Sequence, residues 1–500
     1  MKGSLNKGFF TYVLLFLGLI FAVFLVLACI MMFSPGTAIL GFAFIKKSDV
    51  YEIKSYDGAD NTIILNAAGE EIEALADPNF INFQKLNKLE IVANNFDINV
   101  FTGDLSYIEV ENNITAVTKV NDQTNSFKVT KQYNLLTNTF KIVVSDPSFS
   151  INLQDSRKIT VFLTEKDYDN LSLDFSAKNG DITFGGSVGE KFAEHQFKNI
   201  TAKTDDGNIS VKDYVSVGNL SVVDLATNKG SVNISEKWGE YGSSGLTIQP
   251  KMFLTKLAIT ANGGKVKTGN LFVSELVLNG SMVDAEIGDV NCPTNIVLAI
   301  ADPQLKINID SGLLNIGNVN ADIVDSDSKV KQLKINAKIV NGDVSIPSAT
   351  SADIVIEGIT GKALIKTEGG NVTVKDLQKQ ADISTKSGKV SVLVGENNLE
   401  TVSITTEKGD ITAYFKDVKN NNVLKSTKGD INIVYTEGLI FKLVATGNKI
   451  VLKNQNQTHE DTTVTGYPNV GDTEVTTSNV LQITTEKNVN IEKKPDVVWG

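Results

Sequence analysis

The chain has 500 residues, 42% of them hydrophobic, and a formal charge of −11. That acidity excludes a nucleic-acid binder, which needs a basic face to displace counterions. Two histidines, a single arginine (Arg157) and two cysteines (Cys29 and Cys292) leave little material for imidazole catalysis, phosphate clamps or a disulfide framework.

A short tail, residues 1–8, precedes an uncharged apolar run at 9–33. That run is long enough to cross a bilayer as one helix. Lys2 and Lys7 before it nearly balance Lys46 and Lys47 after it, so charge gives no orientation. A short tail ahead of a large polar domain places that domain outside the cytoplasm. A cleaved signal peptide has a shorter apolar core. Val26-Leu27-Ala28-Cys29 also reads as a lipoprotein cleavage box, although Ile30-Met31-Met32-Phe33 carries the apolar run past the cysteine. Pro35 and Gly36 end the helix. Thr37 to Ile45 is apolar but too short to span, and lies at the membrane surface or forms a first strand. Residues 34–88 read as a juxtamembrane connector, with a helical turn or two between Gly69 and Ala76.

From Leu89 onward apolar and polar residues alternate, the period of a β-strand. A phrase recurs: Ile404-Thr405-Thr406-Glu407-Lys408-Gly409-Asp410-Ile411, then Leu424-Lys425-Ser426-Thr427-Lys428-Gly429-Asp430-Ile431, and before both Ile383-Ser384-Thr385-Lys386-Ser387-Gly388-Lys389-Val390. It reads as strand, glycine corner, strand, with aliphatic side chains inward and Thr, Ser or Asn outward. Turn glycines at 180, 207, 230, 263, 288, 312, 342, 370, 388, 409, 429 and 447 recur too widely for two-residue hairpins. The spacing predicts an all-β fold: a parallel β-solenoid, or β-helix, of irregular coils of ~20–30 residues over 89–453. An antiparallel sandwich or barrel array is the alternative. A charged insert at 190–199 interrupts the pattern. Residues 454–479 read as a polar loop and 480–500 as a final strand and tail. The residues before Asp97 and the Lys493-Lys494-Pro495 tail are the expected caps.

Leu89-Glu90-Ile91-Val92-Ala93-Asn94-Asn95-Phe96-Asp97-Ile98-Asn99-Val100 resembles the opening strand pair of the bacterial putative-adhesin β-strand-repeat family, whose domain was long classed as of unknown function. Ile159-Thr160-Val161-Phe162-Leu163-Thr164, leading through Tyr168 and Leu171-Ser172-Leu173 to Asn179-Gly180-Asp181-Ile182, is the stretch most similar to it. The resemblance runs over 89–450. It implies a surface-exposed β-repeat behind a membrane segment, and brings no catalytic residues.

Asp181, Asp206, Asp343, Asp410 and Asp430 sit at the corners, where they read as turn caps rather than calcium ligands, because Lys408 and Lys428 flank two of them. Arg157 stands alone, without the paired acids of a polysaccharide-cleaving site. His195 and His459 fall in predicted loops. Trp238 and Tyr241 form an aromatic pair suited to a glycan or to packing on the rod. Asn-X-Ser/Thr triplets at Asn208, Asn233 and Asn371 follow from the alternation itself. Gly185-Gly186-Ser187-Val188-Gly189 lacks the lysine of a phosphate-binding loop. No catalytic, cofactor-binding or metal-ligating residue is assigned. The expectation is a single-pass cell-membrane protein with an extracytoplasmic, non-catalytic repeat domain. Its role would be adhesion-like or envelope-structural, with a glycan or a surface or matrix protein as partner. A carbohydrate-active β-helix enzyme and a membrane-tethered self-assembling scaffold are the alternatives.

Overall fold

Alternate side chains of the stacked strands enter one continuous core: Leu89, Ile91 and Ala93 of Lys88–Ala93, for example, and Ile411, Ala413 and Phe415 of Ile411–Phe415. The computed structural model describes residues 12–497 apart from 13, 24, 27–37, 40–41, 56–62, 66–70, 74–79, 82, 104, 120–127, 146–150, 165–170, 186–196, 213–216, 236–253, 292–303, 310–311, 321–322, 325–329, 332, 340–341, 359, 397–399, 454–456, 460–461, 469–476 and 496.

The strands stack in two long parallel ladders. Ladder A runs from Thr139–Ser145 through Lys88–Ala93 and Ser172–Ala177 to Ile431–Thr436, Asn488–Lys494 and Lys449–Leu452. Fifteen parallel pairings among the described residues join it. At ~4.8 Å per rung the ladder is about 70 Å long. Ladder B accompanies it from Asp97–Thr102 through Ile182–Phe184 to Asn421–Ser426, Val480–Thr485 and Lys442–Thr446. The fold is all-β, and its stacked coils are those of a solenoid.

Glycine is required where the rungs touch at their corners. A Cβ on Gly207 would lie 1.9 Å from the Gly180 carbonyl oxygen, and one on Gly409 would lie 1.6 Å from that of Gly388. The hydroxyl three residues earlier ties the corner together. Thr227 Oγ1 accepts from the Gly230 N–H at 2.9 Å and donates to the Gly207 carbonyl of the previous rung at 2.8 Å. Ser426 repeats both bonds with Gly429 and Gly409.

These corners are not equivalent, as the sequence suggests they are. Gly180, Gly207, Gly230 and Gly264 stack where the chain leaves ladder A for ladder B. Gly370, Gly388, Gly409 and Gly429 stack where it leaves ladder B for ladder A. The exchange occurs in Gly342–Glu357, whose first residues pair in ladder B and whose last pair in ladder A. Gly312 and Gly342 pair with each other inside ladder B rather than at a corner. Gly263 has φ +90° and open space around it, while its neighbour Gly264 is the stacked residue.

Both ends depart from the sequence reading. Residues 34–88 are not a plain connector: Phe42–Ser55 pairs antiparallel with Tyr107–Lys119, which pairs antiparallel with Ile151–Leu163. Ala38–Ile39 adds a short outer strand, and Glu71–Glu73 pairs with Ile63–Leu65 where a helical turn was expected. Tyr51 and Ile53 face the core from Phe42–Ser55, so its alternation is that of a half-buried strand. The polar segment 454–479 holds two strands, Gln457–His459 and Thr463–Gly466, which pair antiparallel with Lys449–Leu452 and Lys442–Thr446. The expected cap at Lys493-Lys494 belongs to a strand of the stack: residues 489–494 pair with Ile431–Thr436, and residues 488–491 pair with Lys449–Leu452 as well. Burial of Leu481, Ile483, Val489 and Ile491 holds it there.

Residues 14–23, with 12, 25 and 26, are helical, and Leu14, Phe16, Leu19 and Phe21 are exposed. No helix among the described residues is long and apolar enough to cross a membrane. The expected span 9–33 reaches beyond the described residues.

Candidate functional site

The corner acids act between rungs. Asp181 Oδ1 accepts the Asn208 N–H at 2.7 Å, Asp343 Oδ1 that of Lys362 at 2.7 Å, Asp410 Oδ1 that of Asp430 at 3.0 Å, and Asp430 Oδ1 that of Asn488 at 3.0 Å. Asp206 pairs with Lys229 at 2.8 Å, and this holds the Lys229 ammonium above its usual pKa. Asp181, Asp343, Asp410 and Asp430 thus each cap a backbone group of the neighbouring coil, and Asn208 and Asn371 do the same with their amide oxygens. Among the described residues no three His, Cys, Asp or Glu side chains converge as metal ligands.

Arg157 lies in the interior, 5% exposed, with its guanidinium 5.5 Å from the centre of the buried Phe96 ring. A cation over an aromatic face is a stabilising interior contact, and it removes Arg157 from any surface chemistry. His459 belongs to the edge strand Gln457–His459. His195, Trp238, Tyr241, Cys29 and Cys292 fall outside the described residues.

One outward face breaks the rule of hydroxyls and amides. At the end of the stack nearer the N-terminus, strand register brings Tyr107, Phe162 and Phe101 into one row. Tyr107 and Phe162 stack with ring centres 4.4 Å apart, and Phe162 and Phe101 stand 6.1 Å apart. Two residues further along each strand the register aligns Glu52, Glu109, Thr160 and Asn99. In the next row Glu111 pairs with Lys158 at 2.8 Å. Burial raises the Glu109 carboxyl, and a hydrogen bond with Glu111 and repulsion from it push the same way. The hydrogen bond from Lys158 keeps Glu111 low. Burial, then the charges of Glu109 and Glu52, raises the Tyr107 phenol.

The signal for this face was present in the sequence. Phe101 and Phe162 follow the inward residues Val100 and Val161, so they occupy outward positions where the alternation puts polar groups. The pairing of their distant strands is what a single sequence does not display.

Residues 86–240 match the family model named Toastrack DUF4097. That match bears out the resemblance to an adhesin-type β-repeat over this part of the chain. No curated protein matches. Among solved structures, a putative cell adhesion protein from Clostridium sporogenes is 12% identical, over 47% of this chain and 99% of its own, at a TM-score of 0.24. A putative adhesin from Parabacteroides merdae is 10% identical over 90% and 96%, at 0.18. One from Parabacteroides distasonis is 12% identical over 89% and 97%, at 0.17. TM-scores this low establish no common overall shape and no common site.

Proposed function

We infer that this chain is a membrane-anchored β-repeat protein whose solenoid stands outside the cytoplasm and serves a non-catalytic, adhesion-like or envelope-structural role. The observation that carries it is the contrast between two parts. An apolar helix near the N-terminus presents Leu, Phe and Ile side chains outward, which suits lipid and not water. The stack presents long registered rows of hydroxyls and amides, such as Asn99, Thr183, Ser210 and Asn233. Such a rod offers area for contact and keeps its coils fixed by backbone pairing.

The two rivals fare worse. A glycoside hydrolase places its carboxyl pair ~5–9.5 Å apart, across the scissile bond. Of the two neighbouring acids on the outward face, Glu111 is instead engaged by Lys158 at 2.8 Å. End-to-end assembly would extend the parallel ladders, yet antiparallel strands flank the ladders at both ends.

Alkaline carbonate extraction of membranes tests the anchor. The full chain is expected to stay in the membrane pellet, and a chain lacking 1–33 to leave it. Release of the full chain would remove the anchor from this reading.

A further inference from the structure

We propose that the last coil, residues 480–494, leaves its place in one chain and fills the same place in a second copy of this chain, so that two chains dimerise by exchanging it. The proposal is independent of the anchored reading above. It names a partner and the surface that receives it.

The receiving surface is a slot between two coils. One wall is the coil of Asn421–Ser426 and Ile431–Thr436, and the other is the coil of Lys442–Thr446 and Lys449–Leu452. Val480–Thr485 and Asn488–Lys494 lie between the walls and pair in parallel with both. Register seats Ile483 between Leu424 and Ala445, and Val489 between Ile431 and Ile450, all of them buried. The polar contacts also go to the walls and to the link between them. The Val480 N–H donates to the Asn420 carbonyl at 2.8 Å, Thr485 Oγ1 donates to the Gly429 carbonyl at 2.7 Å, and Lys493 pairs with Glu437 at 3.1 Å. None of these contacts involves residues 467–478, which tie the coil to its own chain. The same coil of a second copy would therefore make all of them again.

The slot is built to stand open. Each wall keeps a partner outside it: Asn421–Ser426 and Ile431–Thr436 pair with the preceding coil, and Lys442–Thr446 and Lys449–Leu452 with Thr463–Gly466 and Gln457–His459. The walls are joined by residues 437–441, where Gly438 has φ +91° and nothing within 4 Å of the space a Cβ would take. Both walls also precede their occupant in the chain, so they are complete before it is made. The fit is particular to this coil. Its corner, Glu486-Lys487-Asn488, is shorter than Thr427-Lys428-Gly429-Asp430 and has no glycine, so it ends the column of stacked corner glycines. The closed and exchanged forms make the same contacts and differ by the tether, which holds a coil near its own slot at an effective concentration on the order of mM. Exchange therefore grows with chain concentration.

The test uses full-length chains in detergent micelles, with Cys29 and Cys292 replaced by serine. Asn432 and Asn490 are register partners, with Asn490 Nδ2 donating to Asn432 Oδ1 at 2.9 Å. Their Cα atoms stand ~4.8 Å apart, a span that a disulfide bridges. One chain carries Asn432→Cys, and a second, isotopically heavy chain carries Asn490→Cys. The two are unfolded together, refolded and oxidised, and the linked peptides are identified by mass spectrometry. A 432–490 disulfide between light and heavy chains is expected, with a yield that rises roughly tenfold for a tenfold rise in chain concentration while exchange is rare. It is expected to exceed the 432–432 and 490–490 products at least tenfold. A chain carrying both substitutions is expected to close the bridge within itself at high dilution. Should a variant fail to fold, Lys425→Cys and Thr484→Cys, partners in the other ladder, read the same insertion. Absence of the link between chains at every concentration, a yield no higher than that of the 432–432 and 490–490 products, or absence of the bridge in the doubly substituted chain would each overturn the proposal. None of those outcomes bears on membrane extraction, so the anchored, extracytoplasmic reading fails or stands on its own test.

Discussion

A methyl group on Gly207 would meet the Gly180 carbonyl oxygen at 1.9 Å, and both atoms belong to backbone held in register. No side chain can swing aside, so Gly207→Ala must separate two coils. It is expected to cost more than about 4 kcal/mol, the range of the most damaging single substitutions. Gly263 has open space, and there only the positive φ opposes a side chain; Gly263→Ala is expected to cost about 1–2 kcal/mol. Chemical denaturation of the two variants reads the difference, and equal costs would mean that the corners do not touch. Tyr435 supplies a second residue-scale check. It is 4% exposed and meets Phe441 edge-on at 5.3 Å. Burial, then the charge of Glu437, pushes its phenol up to about 12. The unfolded phenol ionises near 10. The contribution is therefore complete below that value and lost as the pH rises through the folded one. Ultraviolet titration is expected to show a tyrosine ionising late, and Tyr435→Phe to abolish that step and part of the alkaline unfolding.

Strand order along the chain and strand order in space diverge at both ends. Lys88–Ala93 lies between Thr139–Ser145 and Ser172–Ala177, and Asn488–Lys494 lies between Ile431–Thr436 and Lys449–Leu452. The last coil is therefore inserted, and Thr485 Oγ1 and the Asn488 N–H fasten it to Gly429 and Asp430. Hydrogen exchange is expected to be slow across 480–494 despite its place near the C-terminus, and fast across the edge strands Gln457–His459 and Thr463–Gly466. Fast exchange across 480–494 would contradict the insertion. The alternation and the Gly-centred corners were legible in the sequence because both depend on neighbours along the chain. The exchange of ladders at Gly342–Glu357 was not, since strands before and after a corner carry the same pattern of aliphatic and polar residues. The insertion escaped for a similar reason: Leu481, Ile483, Val489 and Ile491 alternate as any terminal strand would. The aromatic row was half legible, through the outward phase of Phe101 and Phe162, but Tyr107 joins it only by long-range pairing.

At the scale of the whole molecule, a stack about 70 Å long displays registered polar rows and one aromatic–acidic face on a chain whose residues 14–23 form an apolar helix. Its stability comes chiefly from contact between successive coils, as in other solenoids, and the outward rows add hydrogen bonds and ion pairs between coils while facing solvent. The acidic balance of the chain suits a solvated surface, and the interior position of Arg157 removes the one guanidinium from it. The central claim is that this surface faces the outside of the cell. Digestion of intact cells with an added protease, followed by detection of the 89–500 region, tests it most directly. The account predicts that this region is cut in intact cells as it is after lysis; full protection until the cells are broken would contradict it.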